Sequence, residues 1–175
     1  DIRGFRMTVR LRILGVEVDA LTEAELFATI EKTISDGEQK FIAHHNLHSI
    51  YLALQDSEMR DFYESADIII ADGMSLVLAG QLSGQKIRRR HRISWTDMIL
   101  PLMKRAADNG WRVFFLGGAP GIPERVVCLL KAKFPGLEID AHHGYLDDGG
   151  SNAATPDVIR RIASCNPRIL VIGMG

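Results

Sequence analysis

Long apolar runs are missing from this sequence. Nothing in it approaches the ~20 consecutive apolar residues a membrane-crossing helix needs, and no apolar signal-peptide core precedes Val9, so the expected chain does not cross a bilayer. Cysteine is nearly absent. Cys128 and Cys165 are too few and too isolated for a disulfide framework or a zinc knuckle, which points to a reducing, cytoplasmic setting. An excess of one charge is also lacking: 21 Lys and Arg against 22 Asp and Glu give a net charge of -1, which excludes a protein that coats nucleic acid through overall charge. Aromatic residues make up 7% and do not interleave with basic ones, so no nucleic-acid partner is expected. Two nucleotide fingerprints are absent as well. Residues 14–20 hold no Gly-x-Gly-x-x-Gly, which disfavours a plain dehydrogenase, and no Lys-Ser/Thr follows a glycine-rich turn as in a Walker loop.

What is present is an ordinary globular composition, 46% apolar and 25% charged, read as one domain over residues 1–175. Strand and helix signals alternate. Val9 to Val18 reads as a first strand with a turn or bulge at Gly15. Thr22-Glu23-Ala24-Glu25 is a capping box, flanked by Leu21 and Leu26 as a hydrophobic staple, and opens a helix that Gly37 ends. Phe41-Ile42-Ala43 is a short strand, followed by helices broken near Asp56; Ala66–Ala71 is the next strand and Met74 to Leu82 the next helix. Ser94 caps a helix that runs to Asn109 with Pro101 inside it, and strands follow at Trp111–Leu116, Leu137–Ala141 and Arg168–Ile172. The segment Leu146 to Ala154 reads as a polar, mobile loop. The fold class is α/β: a Rossmann-like, mostly parallel sheet of about six strands with helices on both faces.

The chain is organised around Ser65-Ala66-Asp67-Ile68-Ile69-Ile70-Ala71-Asp72-Gly73, an apolar strand ending in Asp-Gly. Ligands in open α/β sheets sit beyond the strands' carboxyl ends, so Asp72 is placed where a substrate is held. Position alone leaves two readings open, a working carboxylate and a cap for the following helix. Gly117-Gly118-Ala119-Pro120-Gly121 is a strand-to-helix turn that exposes backbone N–H groups to a phosphate, or is simply a tight turn. Lys86-Ile87-Arg88-Arg89-Arg90-His91-Arg92 packs five basic residues into seven; it is a solvated face, a guanidinium source for a diphosphate, or an attraction for anionic headgroups. His44, His45 and His48, with His142 and His143, lie past strand ends, but adjacent histidines diverge and no Asp-x-Asp accompanies them, so no metal site is expected. Asn46 can bind a sugar hydroxyl or a uracil edge, or hold its own turn.

These residues accumulate into a resemblance. Asn46, the Ala66–Gly73 run, Arg92-Ile93-Ser94-Trp95-Thr96-Asp97, Phe114–Gly121, Phe134-Pro135-Gly136, Gly144-Tyr145 and Ile172-Gly173-Met174-Gly175 resemble, in order and spacing over about residues 10–175, the WecG/TagA/CpsF family of bacterial glycosyltransferases. The resemblance implies inverting transfer of a sugar, often N-acetylmannosamine, from a UDP donor to a polyprenyl-diphosphate-linked acceptor in cell-surface polysaccharide or teichoic acid synthesis. It implies no metal or other cofactor, and peripheral work on the anionic inner face of the cytoplasmic membrane, with a homo-oligomer among the expected partners. By resemblance Asp72 is the catalytic base. Arg92, with Arg89 and Arg90 as rivals, assists the leaving diphosphate, while Asn46, His44, Gly73, Gly117, Gly118, Gly121, Gly144 and Tyr145 bind the donor. The strand ends at Asn46, Asp72 and Gly117 are expected to converge on it. The sequence departs from the family at His44, where Thr is common, and at Ser75 and Trp95, where small glycines are usual, which leaves the donor sugar open. The family's strand ending in Gly-x-Gly normally continues into Pro-Lys-Gln-Glu and a C-terminal appendage, and the resemblance implies a nucleotide-sugar core without it. A non-catalytic nucleotide-binding regulatory or assembly domain is the alternative.

Overall fold

A computed structural model describes residues 9–146 and 156–173. Most of the predicted polar loop, and Met174 and Gly175 of the terminal motif, lie outside the described residues. The chain divides into two compact units, Asp1–Met98 and Ile99–Gly175.

In the first unit the expected opening strand is two strands. β1 (Arg10–Ile13) and β2 (Val16–Asp19) form an antiparallel hairpin in the register Arg10↔Asp19 to Ile13↔Val16. The turn is Leu14-Gly15, both at positive φ (51° and 89°), the backbone a tight two-residue hairpin requires. α1 (Glu23–Asp36) starts at the predicted capping box, with Glu25 Oε2 accepting from Thr22 N at 2.8 Å, and ends at Gly37 in the left-handed region. Both staple residues, Leu21 and Leu26, are buried. β3 (Ile42–His45), α2 (Leu47–Gln55), α3 (Ser57–Glu64), β4 (Ile68–Ala71) and α4 (Met74–Leu82) follow. The helix break falls at Asp56, which ends α2 and caps α3 by accepting from Glu58 N at 2.8 Å.

β4 is buried at all four positions and pairs in parallel with β3 from Ile42↔Ile68 to His45↔Ala71. Its other edge is satisfied without a full strand. The Asp19 carboxylate, 1% exposed, accepts from Ile69 N at 2.8 Å, and Ala71 O accepts from Ile93 N at 2.9 Å, where Arg92 forms a lone parallel bridge to Ala71. Asp19 is itself held by a two-pronged bond from Arg10 at 2.9 and 2.7 Å, and Arg10 also donates to Asp67 O at 2.9 Å. That pairing raises the Arg10 pKa against the opposing effect of its burial. A partly buried ion pair thus stands in for part of a ladder and ties the hairpin to β4. Leu11, Ile13, Val18, Ile50, Ala71, Leu76, Val77 and Ile87 pack into one cluster, so the hairpin, α2 and α4 share a core with the end of β4.

α5 (Trp95–Asn109) starts in the first unit and runs unbroken past Pro101 into the second; Gly110, at φ 65°, follows its end. The second unit holds β5 (Val113–Gly117), α6 (Ile122–Lys133), β6 (Ile139–His142), α7 (Pro156–Cys165) and β7 (Ile169–Gly173). Its strands are parallel in the order β6-β5-β7, with β5 central and Val113 and Phe114 fully buried. The class is α/β with parallel strands, as read from sequence. In place of one sheet of about six strands, the described residues form sheets of two, two and three strands.

Candidate active site

The first unit brings Asn46, Asp72 and Arg92 to the carboxyl ends of neighbouring segments. β3 and β4 run in register to His45↔Ala71, and Asn46 and Asp72 come one residue later, with Asp72 N donating to His45 O at 2.9 Å. The bridge to Ala71 places Arg92 on the opposite flank.

The structure removes one of the two readings of Asp72, the helix cap. The N-cap of α4 is Gly73 (φ 96°, ψ 147°), and no side chain caps that helix. The half-buried Asp72 carboxylate has no hydrogen bond or ion pair with any described residue. It is not spent on structure. Gly73 takes the positive φ at which a side chain would be strained, so the chain turns from strand to helix immediately after the carboxylate.

Asn46 does hold its own turn. It caps α2 in a reciprocal box: Ser49 N donates to Asn46 Oδ1 at 2.9 Å, and Asn46 N donates to Ser49 Oγ at 2.9 Å. The side-chain amide N–H groups have no partner among the described residues and remain available as donors. Behind the box lies His45, 1% exposed, its ring stacked on Tyr63 (centroids 3.7 Å apart) and its Nδ1 3.0 Å from Ser49 Oγ. Burial, and secondarily the neighbouring His44, push the His45 pKa down to about 4, so the ring is neutral near pH 7. The His44 side chain is exposed, and its carbonyl accepts from Tyr63 Oη at 3.2 Å. Arg92 is exposed and reaches Asp97 at 3.0 Å, an ion pair that leaves the rest of its guanidinium free. Ser94 starts α5 through its carbonyl, which accepts from Met98 N at 3.0 Å, while its hydroxyl pairs with Thr96.

The second unit has its own constellation at the end of β5. Neighbouring β6 and β7 lie on opposite sides of β5, so the crossovers diverge there, the kind of switch point where α/β sheets bind ligands. Gly117 is required by packing: a Cβ built on it would lie 2.1 Å from Gly173 O on β7. Gly118 O accepts from Gly144 N at 2.9 Å, which ties the two strand ends together and occupies the Gly144 amide. The N–H groups of Gly118, Ala119 and Gly121 have no partner among the described residues. Gly121 (φ 85°) then opens α6 without a side-chain cap. Three N–H groups without a described partner thus lie in the turn into α6, the kind of position at which anions are bound.

Past β6 lies a cavity of about 340 Å³, lined by His142, His143 and Tyr145 with Asp157 and Arg161 of α7. His143 Nδ1 is buried there without a hydrogen-bond partner among the described residues. Arg161 is committed to Asp140 at 2.6 and 3.0 Å; chiefly through this bond it holds that carboxyl below the usual range. The sequence reading did not name Asp157 or Arg161. The available signal was their i,i+4 spacing, one turn apart on a short amphipathic helix. Among the described residues no cluster of three or more His, Cys, Asp or Glu is placed to hold a metal ion, and no helix is long and apolar enough to cross a membrane.

Comparison with known proteins supplies the context. The chain is similar to the N-acetylglucosaminyldiphosphoundecaprenol N-acetyl-beta-D-mannosaminyltransferases of Staphylococcus aureus strains NCTC 8325 and COL, 26% identical in each case over 170 residues. Those matches cover 96% of this chain and 64% of each relative. The family described as Glycosyl transferase WecG/TagA/CpsF matches residues 11–175. With that match over nearly its whole length, the chain belongs to the WecG/TagA/CpsF family of glycosyl transferases.

Proposed function

We propose that this chain transfers a sugar, N-acetylmannosamine or a related hexose, from a UDP donor to a polyprenyl-diphosphate-linked acceptor, with inversion at the anomeric carbon. The observation that carries the reading is the Asp72 carboxylate, half-buried at the end of a fully buried strand and bonded to no described residue. In the reaction the acceptor hydroxyl oxygen bonds to the anomeric carbon as the bond from that carbon to the diphosphate oxygen breaks. The hydroxyl proton passes to Asp72, and UDP departs with the electron pair. A positioned carboxylate of this kind contributes about 10²–10⁴-fold.

The leaving diphosphate needs donors that do not have to reorganise, and the free N–H groups of Gly118, Ala119 and Gly121 have that character. Arg92, in the same unit as Asp72, is the proposed guanidinium for that diphosphate. The Asn46 amide, His44, Gly73, Gly117, Gly144 and Tyr145 complete the donor contacts in this reading, Gly117 and Gly144 by holding the turn in shape. Chain order and strand order support a Rossmann-like second unit: crossovers leaving β5 and returning past it, if right-handed as nearly all are, put α6 and α7 on opposite faces. The acceptor's lipid tail places the work at the inner face of the cytoplasmic membrane, in cell-surface polysaccharide or teichoic acid synthesis.

Calorimetric titration with UDP, ADP and NAD, followed by transfer assays across several UDP-sugars, tests the proposal. Selective binding of UDP with turnover of one UDP-sugar is the expected result. Equal or absent binding of all three nucleotides by the folded chain would overturn it.

A further inference from the structure

α4 carries no Asp, Glu, Lys or Arg, and it is apolar on two sides. Leu76, Val77 and Gly80 face inward, Gly80 so tightly that an added Cβ would lie 2.6 Å from Ile87 and 2.8 Å from Ile13. On the other side Leu78 is 51% exposed and Leu82, one turn on, 90% exposed. A helix that buries one apolar face and displays another has a surface for a further partner.

The chain leaving α4 is the basic run. Gln81 Nε2 donates to Ile87 O at 3.1 Å, Gln85 N donates to Gly80 O at 2.9 Å, and Ile87 and His91 are buried. These anchors fold the run back beside the end of the helix, with Lys86, Arg88, Arg89 and Arg90 exposed. None of the four is in an ion pair with a described residue. These cations and the exposed end of α4 at Leu82 make one edge of the first unit, where Arg90 also donates from Nε to His91 Nε2 at 3.2 Å.

We propose that this edge docks the chain on an anionic bilayer surface, with Lys86 and Arg88–Arg90 on lipid phosphates and Leu82 and Leu78 entering the headgroup boundary. Charge complementarity selects this occupant. Guanidinium groups pair with phosphate oxygens, and an apolar stripe beside a cationic run suits the interfacial zone of a membrane. A second copy fits less well, because α4 carries no Asp or Glu to pair with the other copy's cationic run. The inference rests on the reading that the acceptor is lipid-linked, and it assigns that reading a surface.

Sedimentation with vesicles of phosphatidylcholine mixed with phosphatidylglycerol, and of phosphatidylcholine alone, at low and high salt, tests it. Binding is expected on the anionic vesicles and should fall with salt. Lys86→Gln and Arg88→Gln should each weaken it about fivefold. Leu82→Ser should weaken it about tenfold and remove the part that survives salt. Equal binding to both vesicle types, or variants that bind like the parent chain, would overturn the docking surface. So would self-association without vesicles that Leu82→Ser abolishes while leaving vesicle binding unchanged. The vesicle assay uses neither donor nor acceptor, so loss of transfer with this binding pattern intact would count against the proposed reaction and not against the docking edge.

Discussion

Lowering the pH should destabilise the first unit through His45, and the size of the effect follows from its surroundings. The ring is 1% exposed, stacked on Tyr63 and hydrogen-bonded to Ser49, and its pKa is pushed down to about 4 from an ordinary 6.5. Above pH 6.5 neither the folded nor the unfolded chain protonates this ring, and its contribution is fully present. As the pH falls through 6.5 the unfolded chain takes up a proton that the folded chain refuses, so stability drops until the folded ring also protonates near pH 4. The interval between those values corresponds to a loss of about 3 kcal/mol, a large part of a small unit's stability. Urea unfolding across that window, for the parent chain and for His45→Phe, isolates the effect. Phe keeps the stacking but cannot titrate, so the two stability curves should diverge as pH rises from 4 to 6.5 and run parallel above it. Parallel curves throughout would refute the claim that His45 is buried as the neutral ring.

Substitutions at three further positions separate structural from functional roles. Asn46→Ala should cost about 1 kcal/mol, because Ser49 N loses its cap, whereas Asn46→Asp should keep the cap and weaken UDP binding measured by calorimetry. Gly117→Ala should destabilise the second unit by about 1–3 kcal/mol in thermal unfolding, since its Cβ would meet Gly173 O. Asp19→Ala should cost about 1–3 kcal/mol, because it leaves Ile69 N without an acceptor and reduces the partly buried Arg10 guanidinium to Glu17 and Asp67 O.

Local patterns were legible in the sequence where the deciding interaction spans a few residues. The Thr22 box, the break at Asp56, the Gly37 terminator and the strand ending at Asp72-Gly73 all depend on neighbours within one turn. The hairpin was hidden because Leu14 takes a positive φ that leucine rarely adopts. The sheet edges were hidden for a different reason. That Asp19 would replace a strand beside Ile69, or that Gly117 would meet Gly173, depends on contacts about fifty residues apart, which no local pattern encodes. At the site, sequence pointed to Asp72 but could not separate base from cap; the uncapped start of α4 at Gly73 removes the cap and leaves the base as a proposal.

The central claim is that Asp72 accepts the acceptor's proton, and Asp72→Asn tests it most directly. Asn retains the shape, and no described bond is lost, so unfolding should shift by no more than about 0.5 kcal/mol. UDP affinity should be unchanged, while turnover of a UDP-sugar onto a polyprenyl-diphosphate acceptor should fall about 10²–10⁴-fold. Turnover within a few-fold of the parent chain, in a variant that folds and binds UDP normally, would contradict the account.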